Sequence, residues 1–401
     1  MEWASELIHQ QLTASDCFYV LTNSRAFPAS EAAEMNRTIA QLLQDSDSNI
    51  KVISRSDSTL RGHFYEEVSA LSDILGPCDG LLLVPYFGEG GRLTVHDTHY
   101  VQQGEELIPA HHTEFAQDTL FGYRHSHLGD WVEEKSAGKW KKEQVISLSL
   151  EDIRKGGENR VYDKLMAAQG MQPIIVNALA DEDLEVIVLG LCRAEAEGKK
   201  FLYRMAASFV KIRAGLDDTA LYEPGALGKK GLIIVGSYVQ KTTEQLRHLL
   251  DHAPVEAIRV NINSVLSDEH HQYRHEIQER VAQALGSEQP VVLYTERDYV
   301  RADQREQQLA AGKMISDFLS AVVRALSVKP DFVIAKGGIT SHDIARHGLD
   351  TQTATVKGQI APGVPFWTLD QSTYPGLPYV VFPGNVGERS TLLDVFTNLW
   401  K

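Results

Sequence analysis

Cysteine is nearly missing from this 401-residue chain: Cys17, Cys78 and Cys192 are odd in number and far apart. That spacing excludes a disulfide framework and any Cys-x-x-Cys metal pair. Positive charge is scarce too. Asp and Glu outnumber Lys and Arg by 54 to 39, a formal net charge of −15. A nucleic-acid binder needs a basic face to displace counterions, so that class of partner is excluded. Any polyanionic ligand must then be met by local groups working against the overall field. No apolar run approaches the ~20 residues that span a bilayer. The opening, MEWASELIHQ, lacks the basic head and apolar stretch of a secretory signal. A cytoplasmic protein with no membrane partner is the expectation. Its oligomeric state stays open, a homodimer included.

What is present is the make-up of a globular enzyme, 43% hydrophobic and 23% charged. That is too apolar for disorder, and the length exceeds what one core usually serves. Short β-rich runs alternate with amphipathic segments: residues 18–21, 51–54, 81–86, 173–177, 231–235, 291–294, 332–335 and 379–382. Between them, SEAAEMNRTIAQLLQ repeats Met35, Ile39, Leu42 and Leu43 at helical spacing, and DQREQQLAAGKMISDFLSAVVRALSV is the longest helical stretch. Strand runs without alternation, separated by helices, predict an α/β fold of buried parallel strands. The glycine-rich YEPGALGKKG segment marks the boundary, giving domains 1–225 and 226–401. Residues 88–145 show little regular apolar pattern and read as a long structured insertion.

Ligands of open α/β sheets bind beyond the carboxyl ends of the strands. Three such ends in the second domain carry glycine turns: Gly236-Ser237, leading to Lys241 and Thr242; Lys336-Gly337-Gly338-Ile339-Thr340-Ser341; and Gly384 with Gly387. Glycine lets backbone N–H groups approach a phosphate, hydroxyls add donors, and Lys336 adds charge. Each turn read alone is more readily a tight strand-to-helix connection with a cap. Together they point to a nucleotide-like site of a non-standard kind. No Walker motif and no G-x-G-x-x-G dinucleotide fingerprint is present.

In the first domain, KVISRSDSTLRGHF crowds Arg55, Asp57, Ser58, Thr59, Arg61 and His63 around Gly62. Two guanidiniums, an aspartate and hydroxyls suit a small, anionic, hydroxylated ligand. An internal Arg–Asp pair that ties down the loop is the competing reading. Asn23, Ser24 and Arg25, and the Glu89-Gly90-Gly91-Arg92 turn, follow neighbouring strand runs and extend the same edge. His96, His99, His111, His112, His125 and His127 cluster in sequence without H-E-x-x-H spacing, so polar loop histidines are expected and no metal site is assigned.

On LTNSRAFP, SRSDSTLRGHF, GEGGRLTVHDTHYV, TEFAQDTLFGYRHSHLGDWVEEK, VGSYVQKTTEQL, KGGITSHD, GQIAPGVPFW and FPGNVG, the sequence resembles the four-carbon acid sugar kinase family over essentially its whole length. The resemblance implies two domains, each a mainly parallel sheet flanked by helices, with the ligand cleft between them. It implies an ATP- and Mg²⁺-dependent transferase that phosphorylates a terminal hydroxyl of threonate, erythronate or a 3-oxo-tetronate. Carried over by position, Arg55, Asp57, Arg61, Glu89, Gly90, Gly91 and Arg92 fall in the sugar-acid site. Ser237, Gly337, Gly338, Ile339, Thr340 and Gly384 fall on the ATP side. Asp57 and Arg61 are the catalytic candidates, Asp57 as the visible acid to orient or deprotonate the hydroxyl.

Members of that family usually open on a strand and an Asp-Asp-x-Thr-Gly-like turn. This sequence enters at Met1-Glu2-Trp3, at what should be the first helix. The expectation is a start upstream of Met1 or a truncated chain. A catalytically silent sugar-acid or nucleotide binder is the alternative that truncation leaves.

Overall fold

Gly80-Leu81-Leu82-Leu83-Val84 is buried at every position, as a strand covered by helices on both faces must be. It forms the centre of a five-stranded sheet in the computed structural model, which describes residues 5–46, 50–216, 220–237, 239–267, 270–296 and 305–400. The chain divides into two units, Met1–Asp218 and Thr219–Lys401.

The first unit contains β1 (Ile53–Arg55), β2 (Gly80–Val84), β3 (Arg92–Val95), β4 (Thr98–Gln103), β5 (Glu106–Pro109), β6 (Ile146–Leu148), β7 (Gln172–Val176) and β8 (Phe201–Met205). Its main sheet runs β1-β8-β2-β7-β6, every pair parallel. Successive strand residues face opposite sides, so Leu82 and Val84 enter one core with Ile174 and Val176. Leu81 and Leu83 enter the other with Phe64, Val68 and Trp131. Helices α1 (Ser5–Ala14), α2 (Ala29–Ser46), α3 (Phe64–Leu75), α4 (Leu128–Lys135), α5 (Leu150–Arg154), α6 (Gly157–Ala167), α7 (Asp181–Ala196) and α8 (Ala207–Arg213) complete the unit. The expected amphipathic helix is α2, with Ile39 and Leu43 buried against Ile8 and with Met35 and Leu42 packed beside them.

The run at 18–21 is not a strand. Phe18 and Val20 turn in onto Ile8, Ile39 and Leu43, whereas Tyr19 and Leu21 are exposed. Among the described residues β1 pairs with β8 alone and forms one edge of the sheet. The stretch expected as an insertion holds the antiparallel sheet β3-β4-β5 and α4.

The second unit holds β9 (Gly231–Val235), β10 (Glu256–Val260), β11 (Val291–Thr295), β12 (Phe332–Lys336), β13 (Thr353–Ala361), β14 (Val364–Gln371) and β15 (Leu377–Phe382), in the order β10-β11-β9-β12-β15-β14-β13. Pairing is parallel from β10 to β15 and antiparallel across β15-β14-β13. One face buries Leu232 and Ile234 under α11 (His270–Gly286) and α12 (Arg305–Arg324). The other buries Ile233 and Val235 under α9 (Gln240–His252) and α14 (Thr391–Leu399). Between these helices in sequence lie α10 (Ile262–Val265) and α13 (Gly338–Asp343). The division falls ahead of the expected 225/226 boundary because Tyr222 is tied to the second unit. Its N–H donates to the Gln359 carbonyl at 2.7 Å, and its ring lies 5.0 Å from that of Phe366.

Candidate functional site

In the first unit, Arg55, Val84 and Met205 end their strands level with one another. The turn after β1 and the turn after β2 therefore emerge at the same end of the sheet, one on either side of β8. Three buried contacts hold the first turn. His99, fully buried, donates from Nε2 to the Ser58 carbonyl at 2.8 Å, leaving Nδ1 to accept from Thr94 Oγ1 at 2.9 Å. Tyr123 donates its hydroxyl to the Thr59 carbonyl at 2.9 Å. Leu60, at a φ of 67°, plants its side chain in the core. A left-handed leucine is costly and persists only where its surroundings over-determine it.

Within this turn Asp57 accepts from Arg61 Nε at 2.8 Å and from the Thr59 hydroxyl, with Arg25 Nη1 3.7 Å away. Burial alone would raise the Asp57 carboxyl. The bonds from Arg61 and Thr59 and the charges of Arg61 and Arg25 carry it below the usual value. Asp57 is thus an ionised acceptor committed to its own turn, and the internal ion pair that the sequence left open is formed. A carboxylate so held orients a hydroxyl well and takes up a proton poorly.

From the second turn Arg92 faces the same place. Its guanidinium lies 5.5 Å from the ring centroid of Phe115, and that of Arg61 lies 5.1 Å from the same ring. Arg92 donates from Nη1 to the Gly90 carbonyl, while its buried Nε has no partner among the described residues. Burial lowers the Arg92 pKa, against the opposing pull of Asp57 and Glu114. Asp57, Arg61 and Arg92 are therefore one cluster, whereas Arg55 and Glu89 are exposed. Beside the cluster a cavity of about 580 Å³ is lined by Arg25, Phe27, Gly62, His63, Phe121 and Lys135 among others, within the size range of small-molecule pockets.

Arg204, the last residue but one of β8, supports the turn from below. It pairs with Glu67 of α3 and donates to Ser54 Oγ at 2.7 Å, and Glu67 accepts in turn from the Ser24 hydroxyl at 2.5 Å. A Cβ at Gly62, whose φ is 120°, would lie 3.2 Å from Arg204 Nη2. Glycine is what lets the turn rest on the guanidinium. Sequence reasoning did not assign Phe115, Tyr123 and His99 to this site. Their signal was only that aromatic and histidine residues crowd the irregular segment 96–127. Among the described residues no three His, Cys, Asp or Glu side chains group to hold a metal.

In the second unit the register sets Val235, Lys336 and Phe382 level on neighbouring strands. The three glycine turns therefore start together. Strand order reverses here: the chain leaves β9 toward β10 and β11, then returns to β12 on β9's other side, which is where open α/β sheets bind ligands. Thr242 donates to the Gly384 carbonyl at 2.8 Å and stands 3.3 Å from Ser237 Oγ. A Cβ at Gly384 would lie 2.7 Å from that Ser237 oxygen, so any side chain there would displace the Ser237 hydroxyl. The Gly337 N–H donates to the Phe382 carbonyl at 2.8 Å. Thr340 is buried, with Gly338 and Ile339 exposed above it. Ser237, Gly337, Thr340 and Gly384 thus meet, with Gly338 and Ile339 at their rim.

The chain thus carries an arginine–aspartate cluster at the strand ends of one parallel α/β unit and converging glycine turns at the switch point of another. The chain belongs to the four-carbon acid sugar kinase family. The family's sugar-binding N-terminal domain matches residues 3–213 and its nucleotide-binding C-terminal domain residues 232–392. It is 24% identical to the D-threonate kinase of Salmonella typhimurium over 398 residues, covering 95% of this chain and 88% of that protein. It is 28% identical to the D-erythronate kinase of Heliobacterium modesticaldum over 240 residues, 58% of this chain and 50% of that one. A solved Haemophilus influenzae protein shares the fold, with a TM-score of 0.68 at 20% identity over 93% of this chain and 87% of that one. No described helix is long and apolar enough to cross a membrane.

Proposed function

We propose that this protein transfers the γ-phosphoryl group of ATP to a terminal hydroxyl of a four-carbon sugar acid. The observation that carries the reading is Arg92: a half-buried arginine whose buried Nε lacks a partner among the described residues, beside Arg61 and sharing the Phe115 ring with it. An unmet buried donor is costly, and a substrate carboxylate supplies the acceptor. Arg61 and Arg92 receive the carboxylate, and Asp57 accepts a hydrogen bond from a substrate hydroxyl. Arg55 and the Glu89-Gly90-Gly91 turn stand at the rim of this set.

Phosphoryl transfer asks for alignment and charge neutralisation more than for covalent help. Ser237, the turn Gly337-Gly338-Ile339-Thr340 and Gly384 receive the nucleotide. Mg²⁺ carried on the phosphates would neutralise part of their charge. Matches to proteins named D-threonate kinase and D-erythronate kinase support the acceptor class. The test is ADP release by the full chain with Mg-ATP and a panel of threonate, erythronate and 3-oxo-tetronate stereoisomers. Acid-dependent release on one panel member is the expected result. Nucleotide and acid binding without turnover would leave a silent binding protein and overturn the kinase reading.

A further inference from the structure

Lys336 is the last residue of β12 and one of the largest fully buried side chains of the protein. Its ammonium donates to the Pro383 carbonyl at 2.7 Å and lies 3.9 Å from the centroid of the Phe382 ring. Those contacts leave part of its three-donor capacity unused. Among the described residues no carboxylate lies within ion-pair distance of Nζ. The nearby charge that acts on it is another cation, Lys241. A buried charge without a counter-charge is expensive. In keeping with that cost, burial and then Lys241 push the lysine down to about 7.

The contact with Pro383 also fixes a direction. The peptide bond is planar and trans, so its C=O and N–H point opposite ways. With the Pro383 carbonyl held on Lys336, the Gly384 N–H is turned away from the lysine, and it has no acceptor among the described residues. Gly384 itself abuts Ser237 Oγ and gives its own carbonyl to Thr242. An unmatched positive charge thus sits beneath the meeting point of the three turns, and it aims a free backbone donor out of that floor.

We infer that Lys336 is a positioning residue for a polyphosphate: it holds the Pro383–Gly384 peptide with its N–H toward the ligand, and the ligand's negative charge supplies the counter-ion that the protein lacks. This rests on the nucleotide reading of the second unit. Lys336 acts through the peptide and through its field in a low-dielectric floor, where unit charges still attract appreciably over several ångströms.

The role separates from a structural one because stability and affinity move in opposite directions. Replacing an uncompensated buried charge with an apolar chain of similar length relieves the free protein. Lys336→Met therefore keeps or raises the Tm without ligand. The same variant weakens ATP and ADP binding by about tenfold or more and leaves adenosine within about twofold. In turnover the loss lies in KM for ATP more than in kcat. Equilibrium titration of wild type and variant with adenosine, AMP, ADP and ATP reads the effect, and Lys336→Gln is the second variant should methionine fail to fold. Equal weakening for adenosine and ATP, or a variant that binds ATP as wild type does, overturns the inference while the nucleotide site stands. Wild type that binds none of the four overturns the nucleotide reading itself.

Discussion

Arg204 and Glu67 form an ion pair at 5% and 7% side-chain exposure. The arginine comes from β8 and the glutamate from α3. Removing one partner strands the other charge in the core, which costs about 3–5 kcal/mol, whereas replacing both with apolar chains costs far less. Glu67→Leu and Arg204→Met each alone should lower the urea midpoint strongly. The double variant should recover much of that loss, and simple additivity of the single losses would show that the pair is not coupled.

Arg92 differs from Arg204 in having a donor to spare. Arg92→Lys should raise KM for the sugar acid by about tenfold or more, since one point charge does not replace a planar fork. Its kcat should change less, and its Tm little. An unchanged KM would place the carboxylate elsewhere.

His99 sets a pH limit on the fold. Burial pushes its pKa down to about 4, from an ordinary value of 6.5. Between these values the unfolded chain binds a proton that the folded one refuses, so stability falls as pH falls from 6.5 to 4. The slope approaches 1.4 kcal/mol per pH unit, roughly 3 kcal/mol in total. His99→Gln lacks this titration, so the stability gap between wild type and variant should narrow on acidification. Parallel denaturation series from pH 7 to 4 read it, and a constant gap would mean that His99 titrates normally.

Gly384 abuts the Ser237 hydroxyl. In Gly384→Ala the new Cβ meets Ser237 Oγ and displaces it from the meeting point of the turns. A strain of 1–3 kcal/mol is typical of such overpacking, and ATP affinity should drop by about tenfold. Sugar-acid binding by the first unit should be untouched. Loss of both affinities together would indicate general unfolding.

The strands that announced themselves in the sequence were those buried on both faces. GLIIV, FVIAK and GLLLV are continuous apolar runs and became β9, β12 and β2. Those that escaped had a physical reason to look different. FLYRM hides an arginine as its fourth residue, and that arginine is tolerated because Glu67 stands opposite. In β13, Val356 and Lys357 are exposed, so its composition is that of a half-wet antiparallel strand. The run at 18–21 looked like a strand because Phe18, Tyr19, Val20 and Leu21 are all apolar, yet only two of them are covered. At the site, the charged turn was legible in Arg55, Asp57 and Arg61. The division of labour within it was not: which arginine pairs inward and which is left over depends on Phe115 and Asp118, distant in sequence.

Strand order also governs how this chain is made. β9 lies between β11 and β12, whose pairing residues are 291–294 and 332–336. By contrast β13, β14 and β15 are antiparallel neighbours in sequence and close by short turns, the kind of pairing that forms fast. On a ribosome, the run Gly231–Val235 therefore emerges long before either of its flanking strands exists. Both hydrogen-bonding edges of this apolar segment stay open until residue 294 has left the exit tunnel, and one stays open until residue 336 follows, so it is the natural place for a chaperone to bind.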